Sequence, residues 1–205
     1  MVINNLKADE IKKLIAFFYE IGTLRKVMRS HRQVLLTDDL SDNIASHSFR
    51  VALIGYFLAK ELAADANKVI KMCLLHDLEE TRIGDQNWIH KKYIKIFDDE
   101  IRQEQLGNIP HHQELLALSK EFEDRQSLEA KITKDADLLD QVLLLREYQW
   151  QGNKEALDWL NLDSPKGNQQ ERRMSTSLAK EFAEEIKRQN PSVWWAKLWR
   201  GERRQ

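Results

Sequence analysis

The chain has 205 residues, a formal net charge of −1 and a charged fraction of 32%. This length suits one domain with a sizeable core, and a near-neutral balance without a basic block lacks the electrostatic footprint of a nucleic-acid binder. Only seven glycines and three prolines interrupt the chain, so its composition favours an all-α fold of long helices with few tight turns.

The N-terminal segment, MVINNLKADEIKK, mixes charged and apolar residues and offers no uninterrupted hydrophobic stretch for export. No segment approaches the roughly eighteen apolar residues that span a bilayer. The single cysteine, Cys73, is expected to be a packed thiol in a reducing environment. These features predict a cytoplasmic protein that does not use a membrane.

The first helix is predicted from Leu6 to Arg29, with a break near Gly22. Its end gathers four basic residues, Arg25, Lys26, Arg29 and Arg32. Two interpretations are open for this cluster. It is either a solvated helix end that the helix dipole favours, or a site for a phosphate group.

The next helix is predicted from Ile44 to Leu62, with Asp42 as its N-cap. Its apolar stripe consists of Ile44, His47, Val51, Ile54, Leu58 and Leu62. His47 is therefore directed towards the core. A histidine on an apolar face is more often a hydrogen-bonded core residue than a metal ligand, so its role stays open at this point.

A central helix is predicted from Lys68 to Arg82, and Gly84 is placed to end it in a left-handed cap. Its inward positions are Val69, Ile70, Cys73, Leu74, Asp77 and Glu80. The apolar face thus ends in acid, and His76 lies one turn before Glu80. A buried carboxylate is costly unless it is paired or binds a cation. Structural pairing with neighbouring helices and a divalent metal site are the two interpretations.

Two amphipathic segments follow, Trp88 to Phe97 and Asp98 to Leu106, and they are predicted to form one or two helices. Pro110 starts a further helix with an acidic end. We expect the two segments to form a flank or lid rather than core.

A long helix is predicted to begin after Ser127, its N-cap, and to run to Trp150. Its centre is apolar on nearly every side, but three carboxylates interrupt it, those of Asp135, Asp137 and Asp140. Periodicity does not choose among them, because Asp135 and Asp137 each share a stripe with apolar residues. The pattern indicates only that at least one acid is buried here.

The C-terminal part begins with predicted turns at Gly152-Asn153 and at residues 161–168, which include Pro165. A helix is predicted from Glu171 to Arg188, and Asn190-Pro191 opens a short last one.

The last helix is rich in apolar residues, namely Trp194, Trp195, Leu198 and Trp199. They are interpreted as docking the tail onto the body, with a dimer contact or a ligand edge as alternatives. We expect residues 1–160 to form the core of the protein and residues 161–205 a helical extension packed on it.

Taken together, the inward groups are His47 on one helix, His76 and Asp77 on the next, and an aspartate on a later one. Two imidazoles with two carboxylates suit a borderline or moderately hard divalent ion. Histidines and aspartates occur in the order H...HD...D in three segments, ASHSFRVALIGYFLA, CLLHDLEETRIGD and EAKITKDADLLD. This order resembles the motifs of the HD-domain metal-dependent phosphohydrolases. More narrowly, it is similar to the branch that contains the 5'-deoxynucleotidases. The resemblance covers roughly Leu24 to Trp150 and implies an HD-domain helical bundle.

This resemblance implies one divalent ion, Mn, Co, Fe, Ni or Zn with Mg as a further option, and its ligands are His47, His76, Asp77 and Asp137. Asp137 holds the last position of the family's KxAD pattern, so Asp135 becomes a neighbour rather than a ligand.

The resemblance also implies roles around the ion. Glu80 holds the position of the family's catalytic acid or base, and Asp77 or Glu80 steers the proton. Asp85 matches the family's aspartate that lies near the sugar of the substrate. Arg29 matches an arginine that lies near the phosphate of the substrate. Assistance to Arg29 from Arg32 or Lys26 is left open.

The chain departs from the family pattern at two points. Relatives often carry an acid immediately before the first ligand histidine, where this chain has Ser46. They also often have a tryptophan soon after the arginine, where this chain has Ser30, His31 and Arg32. Metal chemistry should survive both changes, whereas preference for a deoxyribonucleotide depends on the sugar and base pocket.

The function predicted on this basis is metal-dependent hydrolysis of phosphate monoesters by a 5'-nucleotidase that acts on (deoxy)nucleoside monophosphates. Alternatives are a nucleotide-binding regulatory protein, a phosphohydrolase for another small phosphate ester or a nucleoside triphosphate, and a purely structural helical domain. The expected partners are a small nucleotide and a second copy of the chain in a homodimer, with no nucleic-acid polymer and no membrane.

Overall fold

A computed structural model describes residues 6–161, 163–164, 167, 169–196 and 198. Within these residues the chain forms thirteen α-helices and one 3-10 helix and no strand, which confirms the all-α prediction. The helices are α1 (Ala8–Ile21), the 3-10 helix (Gly22–Lys26), α2 (His31–Leu35), α3 (Ile44–Glu61), α4 (Ala66–Leu75), α5 (Glu80–Ile83), α6 (Trp88–Tyr93), α7 (Asp98–Leu106), α8 (His112–Asp124), α9 (Leu128–Trp150), α10 (Lys154–Leu160), α11 (Gln169–Arg173), α12 (Ser177–Arg188) and α13 (Val193–Ala196). None of these helices combines the length and the apolar character needed to cross a membrane.

Helix α9 is the centre of the fold, since it packs against α3, α4, α8, α10, α11 and α12. The main core joins it to α3 and α4 through fully buried side chains such as Ile132, Val51 and Val69. Helix α12 adds Ala179 and Ala183 to the same core. Residues beyond 160 therefore share the main core, and the predicted division at that residue stays a prediction.

Helices α3 and α4 approach each other closely at Gly55. A Cβ atom at this position would lie 2.8 Å from Sγ of Cys73 and 2.9 Å from Cγ1 of Val69. These separations are well inside the about 3.5–4.0 Å at which nonbonded heavy atoms attract, so only glycine fits without movement of the helices. The close approach brings the first turns of α3 beside the end of α4.

Helix α3 follows its prediction closely. It begins at Ile44 and ends at Glu61, and the stripe that carries His47 faces the core. Its N-cap is Asn43, not Asp42 as predicted, because Oδ1 of Asn43 accepts a hydrogen bond from the amide of Ser46 at 3.1 Å. The hydroxyl of Ser46 completes a capping box with the Asn43 amide.

The central helix is not continuous, so the prediction of one helix from Lys68 to Arg82 was wrong. Helix α4 ends at Leu75, and residues 76–79 turn more tightly before α5 begins. The amide of Leu78 donates to the Leu75 carbonyl at 3.3 Å, and that of Thr81 to the Leu78 carbonyl at 3.1 Å. This three-residue spacing is that of a 3-10 helix.

The buried face of α4 also differs from the predicted one, because Met72 packs against Leu118 and Phe122 of α8. Leu74 was predicted to be buried, but it is 50% exposed, whereas Met72 is fully buried. Gly84 ends α5 with φ 70° and ψ 164°. The predicted positive φ is present, but the ψ value is not that of a left-handed helical cap.

The remaining N-terminal and middle elements agree in type with the predictions. The first helix breaks at Gly22 into the 3-10 helix, and α6 and α7 are separate helices. The helix predicted to start at Pro110 begins at His112. Helix α9 starts after Ser127, whose Oγ accepts from the amide of Ala130 at 3.1 Å as predicted.

Two differences occur in the C-terminal part. Helix α10 occupies residues 154–160, between the two predicted turns, and was not foreseen. The helix predicted from Glu171 to Arg188 is split into α11 and α12, because the carboxylate of Asp135 accepts hydrogen bonds from the amides of Ser175 and Thr176 and from the Thr176 hydroxyl. Pro165 lies outside the described residues.

The last helix is short, and its tryptophans stay accessible. Trp194 and Trp195 contact each other with ring centroids 4.8 Å apart, and they are 68% and 46% exposed. Docking of the tail is therefore not achieved by burial of these two rings. Trp199 lies outside the described residues.

Candidate metal centre and active site

Side chains from α3, from the end of α4 and from α9 meet at one point. His47 lies in the first turn of α3, His76 is the C-cap of α4, and Asp137 lies near the middle of α9. Nε2 of His47 lies 3.2 Å from Nε2 of His76. It is 3.4 Å from Oδ2 of Asp77 and 3.5 Å from Oδ1 of Asp137. Oδ2 of Asp77 also lies 3.1 Å from Nε2 of His76.

Hydrogen bonds from the Nδ1 atoms, on the side of each ring away from the cluster, fix the orientation of both imidazoles. Nδ1 of His47 donates to Oδ2 of Asp140 at 2.6 Å, and Nδ1 of His76 donates to the carbonyl of Cys73 at 2.8 Å. Because a carboxylate and a carbonyl only accept hydrogen bonds, the ring protons are placed on Nδ1. In the neutral rings the two Nε2 atoms then present lone pairs to each other.

This set of donors fits a bound divalent cation. Four acceptor atoms that face one another repel unless a cation or proton lies between them. Ligand atoms of His47, His76 and Asp137 all lie within 4.8 Å of one another. The shortest separations in the cluster, 3.1–3.5 Å, are close to the about 3.0–3.4 Å between neighbouring ligands whose bonds to a zinc-like ion are about 2.1 Å long.

Electrostatics favour ionised acids at this point. Burial disfavours the charged form of Asp77, but the imidazoles of His76 and His47 outweigh burial and hold its pKa well below the usual range. For Asp137, burial is outweighed by Lys134 and the same imidazoles, and its pKa is also held well below normal. Both carboxylates are therefore available as oxygen donors at neutral pH.

The two histidines differ in their proton affinity. Burial lowers the pKa of His76. Burial and Arg29 also act to lower the pKa of His47, but Asp140 and Asp77 together raise it to about 9. A proton on His47 thus supplies positive charge to the cluster when no cation does, and a metal ion would have to displace it.

Asp140 is a functional candidate that the sequence left without a role. It is 3% exposed, and besides His47 it accepts a hydrogen bond from Nε of Arg50. Nη1 of Arg50 is in turn 2.6 Å from Oε1 of Glu147. The spacing of three residues from Asp137, which places both acids on one face of α9, was the available signal.

Asp135 has a structural role. It is fully buried, and its two carboxylate oxygens accept hydrogen bonds from the backbone amides just before α12. This arrangement agrees with its description as a neighbour of the site.

Glu80 and Glu79 line a cavity of about 690 Å³ together with His76, Asp77 and Asp137. Oε2 of each glutamate is buried and has no hydrogen-bond partner. Burial, with Asp77 and Asp85 adding to it, raises the pKa of Glu80 to about 10, and burial raises that of Glu79 to about 7. With no cation bound, the protonated form of Glu80 is therefore favoured at neutral pH, and this form can donate a proton within the cavity.

Arg29 and Asp85 lie together behind Asp77. Nη1 of Arg29 is 3.8 Å from Oδ2 of Asp77, and its Nε is 3.7 Å from Oδ2 of Asp85. Oδ2 of Asp85 also accepts from the amide of Ser30 at 2.7 Å. Arg29 is only 6% exposed and lines a separate surface pocket, not the cavity that holds Glu80.

His31 was foreseen only as a departure from the family pattern, yet it orients Arg29. Its Nε2 accepts a hydrogen bond from Nε of Arg29 at 3.1 Å. Burial and the adjacent Arg29 lower the pKa of His31 to about 3, so its ring is neutral and able to accept. Arg32 lines the same surface pocket as Arg29, whereas Lys26 is exposed.

Comparison with known proteins gives concordant results. Residues 21–187 match the sequence model of the HD domain family. The chain is 31% identical to 5'-deoxynucleotidase HDDC2 of Dictyostelium discoideum over 150 residues, which cover 67% of this chain and 78% of the relative. It is 24% identical to the Danio rerio protein of the same name over 144 residues, which cover 66% of this chain and 70% of that one. A solved structure of a conserved hypothetical protein from Pyrococcus furiosus aligns with a TM-score of 0.65 and 28% identity, over 85% of this chain and 99% of that chain.

Proposed function

The chain belongs to the HD domain family, and we propose that it is a metal-dependent phosphohydrolase that cleaves (deoxy)nucleoside 5'-monophosphates into nucleoside and phosphate. The observation that carries this proposal is the convergence of two imidazoles and two carboxylates beside Glu80, whose Oε2 atom is buried at the same cavity. The names of the relatives from Dictyostelium discoideum and Danio rerio support the choice of substrate.

One divalent ion is proposed to be held by His47, His76, Asp77 and Asp137. With an ion bound there, the site gains a Lewis acid that polarises a phosphoryl oxygen and lowers the pKa of water. The mixed nitrogen and oxygen donors suit Mn, Co, Fe, Ni or Zn, with Mg as a weaker fit. Adding these metals back to chelated protein one at a time identifies the ion.

Glu80 is proposed to be the general acid. In hydrolysis, water forms the new bond to phosphorus while the bond from phosphorus to the nucleoside oxygen breaks. The leaving oxygen must then receive a proton. Glu80 lines the cavity beside Asp77, and in its protonated form it is placed to supply that proton. Asp77, which stays ionised, is proposed to orient the attacking water by accepting a hydrogen bond from it.

Arg29 and Asp85 are proposed to act on the substrate near Asp77. The guanidinium of Arg29 is close enough to Asp77 to interact with a phosphate bound beside it, although two carboxylates already share its charge. Asp85 is held by the Ser30 amide and is proposed to contact the sugar. The accessible Lys26 is not needed in this arrangement.

The partner of the chain is proposed to be a second copy. The outward face of α3 carries Phe49, Leu53 and Phe57 at helical spacing, and all three are exposed. Contiguous exposed apolar residues of this kind are typical of protein interfaces. A cytoplasmic location stays a prediction, and the free, buried Cys73 is consistent with it.

The experiment that tests the function is phosphate release from a panel of ribo- and deoxynucleoside monophosphates, other small phosphate esters and nucleoside triphosphates, with each metal added. Turnover of the monophosphates is the expected result. Tight nucleotide binding without phosphate release would favour a regulatory protein. Turnover of another phosphate ester alone would mean that the substrate is that ester and not a nucleoside monophosphate.

A further inference from the structure

The turn between α8 and α9 places an arginine on the wall of the active-site cavity. Arg125 lines the same cavity as Glu80 and Asp137. Its guanidinium carbon lies 3.5 Å from the centroid of the Phe122 ring. That ring packs edge-on against His76, with centroids 5.8 Å apart. Two successive ring contacts therefore connect Arg125 to a proposed metal ligand.

Arg125 forms no close ion pair with a described residue, and Glu123, Asp137 and Asp77 act on its charge only at longer range. Its Nη1 atom is buried and makes no hydrogen bond. An unpaired buried donor is costly in a finished structure, so such an atom indicates a missing partner. Arg125 also has a φ of 54°, which disfavours residues other than glycine. Backbone strain of this kind is retained more often at functional sites than elsewhere.

The other cations beside the proposed metal ligands are already neutralised. Arg29 lies between Asp77 and Asp85 at 3.8 and 3.7 Å, and Nζ of Lys134 is 2.5 Å from Oδ2 of Asp137. With one divalent ion bound, Arg29, Lys134 and the ion carry four positive charges against three negative charges on Asp77, Asp85 and Asp137, which leaves a net charge of +1 against the −2 of a phosphate dianion. A phosphate dianion that enters the cavity therefore still needs positive charge, and Arg125 is placed to provide it.

We propose that Arg125 is a substrate-binding residue that holds the phosphate group of the nucleotide from the α8–α9 side of the cavity. This inference rests on the proposed function. The planar guanidinium matches two phosphate oxygens at once, and its stack on Phe122 fixes the plane before substrate arrives. Arg173 and Lys131 line the same cavity and add to its positive potential.

The test is equilibrium binding of inorganic phosphate to the Mn²⁺-loaded protein by titration calorimetry, with nucleotide hydrolysis measured in parallel. The variants are Arg125→Ala, Arg125→Lys and Arg125→Gly. The glycine variant accepts the positive φ without strain, so it removes the side chain while favouring the turn. Arg172→Ala is the matched control, because Arg172 is exposed and does not line this cavity.

The alanine and glycine variants are expected to weaken phosphate binding and to raise KM about 10- to 100-fold, which is typical for loss of a charge-assisted hydrogen bond. The lysine variant should recover part of the loss, and Arg172→Ala none of it. Phosphate binding by Arg125→Gly that equals that of Arg172→Ala would overturn the proposal. Failure of the wild type to hydrolyse any monophosphate would contradict the proposed function instead, and the binding comparison would still decide the role of Arg125.

Discussion

Oδ2 of Asp140 lies 2.6 Å from Nδ1 of His47, on the far side of the imidazole from the cluster of acceptor atoms. The same carboxylate is held by Arg50 from the next turn of α3. A carboxylate behind a ligand histidine sets its tautomer and strengthens Nε2 as a donor to a metal. Asp140 is thus a positioning residue, since it acts through His47.

The first prediction concerns Asp140→Asn. An amide has one acceptor oxygen for the two donors, His47 and Arg50, so the imidazole loses its fixed orientation. We expect metal affinity to fall about 10- to 100-fold and activity to recover when metal is added in excess. Titration with a competing chelator measures the affinity. Asp9→Asn, at an exposed position on α1, serves as the control, and equal affinities in the two variants would remove this role from Asp140.

A second prediction separates two adjacent acids. Glu80→Gln retains the size of the side chain but cannot transfer a proton, so kcat should fall about 10²- to 10⁴-fold with KM little changed. Glu79→Gln is the matched control, since Glu79 lines the same cavity but lies 3.7 Å from Arg102. Its kcat should change less than tenfold. Steady-state kinetics with one deoxynucleoside monophosphate measure kcat and KM for both variants. A larger loss of kcat in Glu79→Gln than in Glu80→Gln would make Glu79 the general acid instead.

Gly55 gives a prediction about the scaffold. Its alanine variant forces a methyl group against Cys73 and Val69, and overpacking of this kind costs about 1–3 kcal/mol. Gly22→Ala is the control, because the nearest atom to a Cβ there is 3.8 Å away and φ is −61°. Urea unfolding should show a lower midpoint for Gly55→Ala only. Equal midpoints would mean that α3 and α4 have room to separate.

The homodimer has its own test. Leu53→Glu places a charge in the exposed apolar face of α3 and should convert the dimer into a monomer in sedimentation experiments. Leu74→Glu is the control, since Leu53 and Leu74 are 49% and 50% exposed leucines on different helices. If the wild type sediments as a monomer, the proposed dimer is wrong. If only Leu74→Glu dissociates it, the interface lies elsewhere.

Sequence reasoning succeeded where one helix face decides the outcome. The stripe that includes His47 repeats every three to four residues and faces a single core, so its burial followed from periodicity alone. The cap at Ser127 followed from local hydrogen bonding in the same way. The approach of His76 and Asp77 to His47 was expected from the family resemblance, and the structure brings these side chains together.

Other features depend on contacts that are distant in sequence. Helix α9 is covered on several sides, so its three aspartates could not be distinguished by period. Asp135 is explained by the start of α12, forty residues further on, and Asp140 by His47 on α3. The tight turn after Leu75 was missed because apolar spacing does not reveal a change to 3-10 hydrogen bonding.

The central claim is that His47, His76, Asp77 and Asp137 hold one divalent ion that hydrolysis requires. The most direct measurement is the metal content of wild-type and His76→Ala protein after chelation and reloading, with phosphate release from a deoxynucleoside monophosphate followed in the same samples. We predict one ion per chain and restored turnover in the wild type, with both lost in His76→Ala. Full turnover by chelated, metal-free wild-type protein would contradict the account.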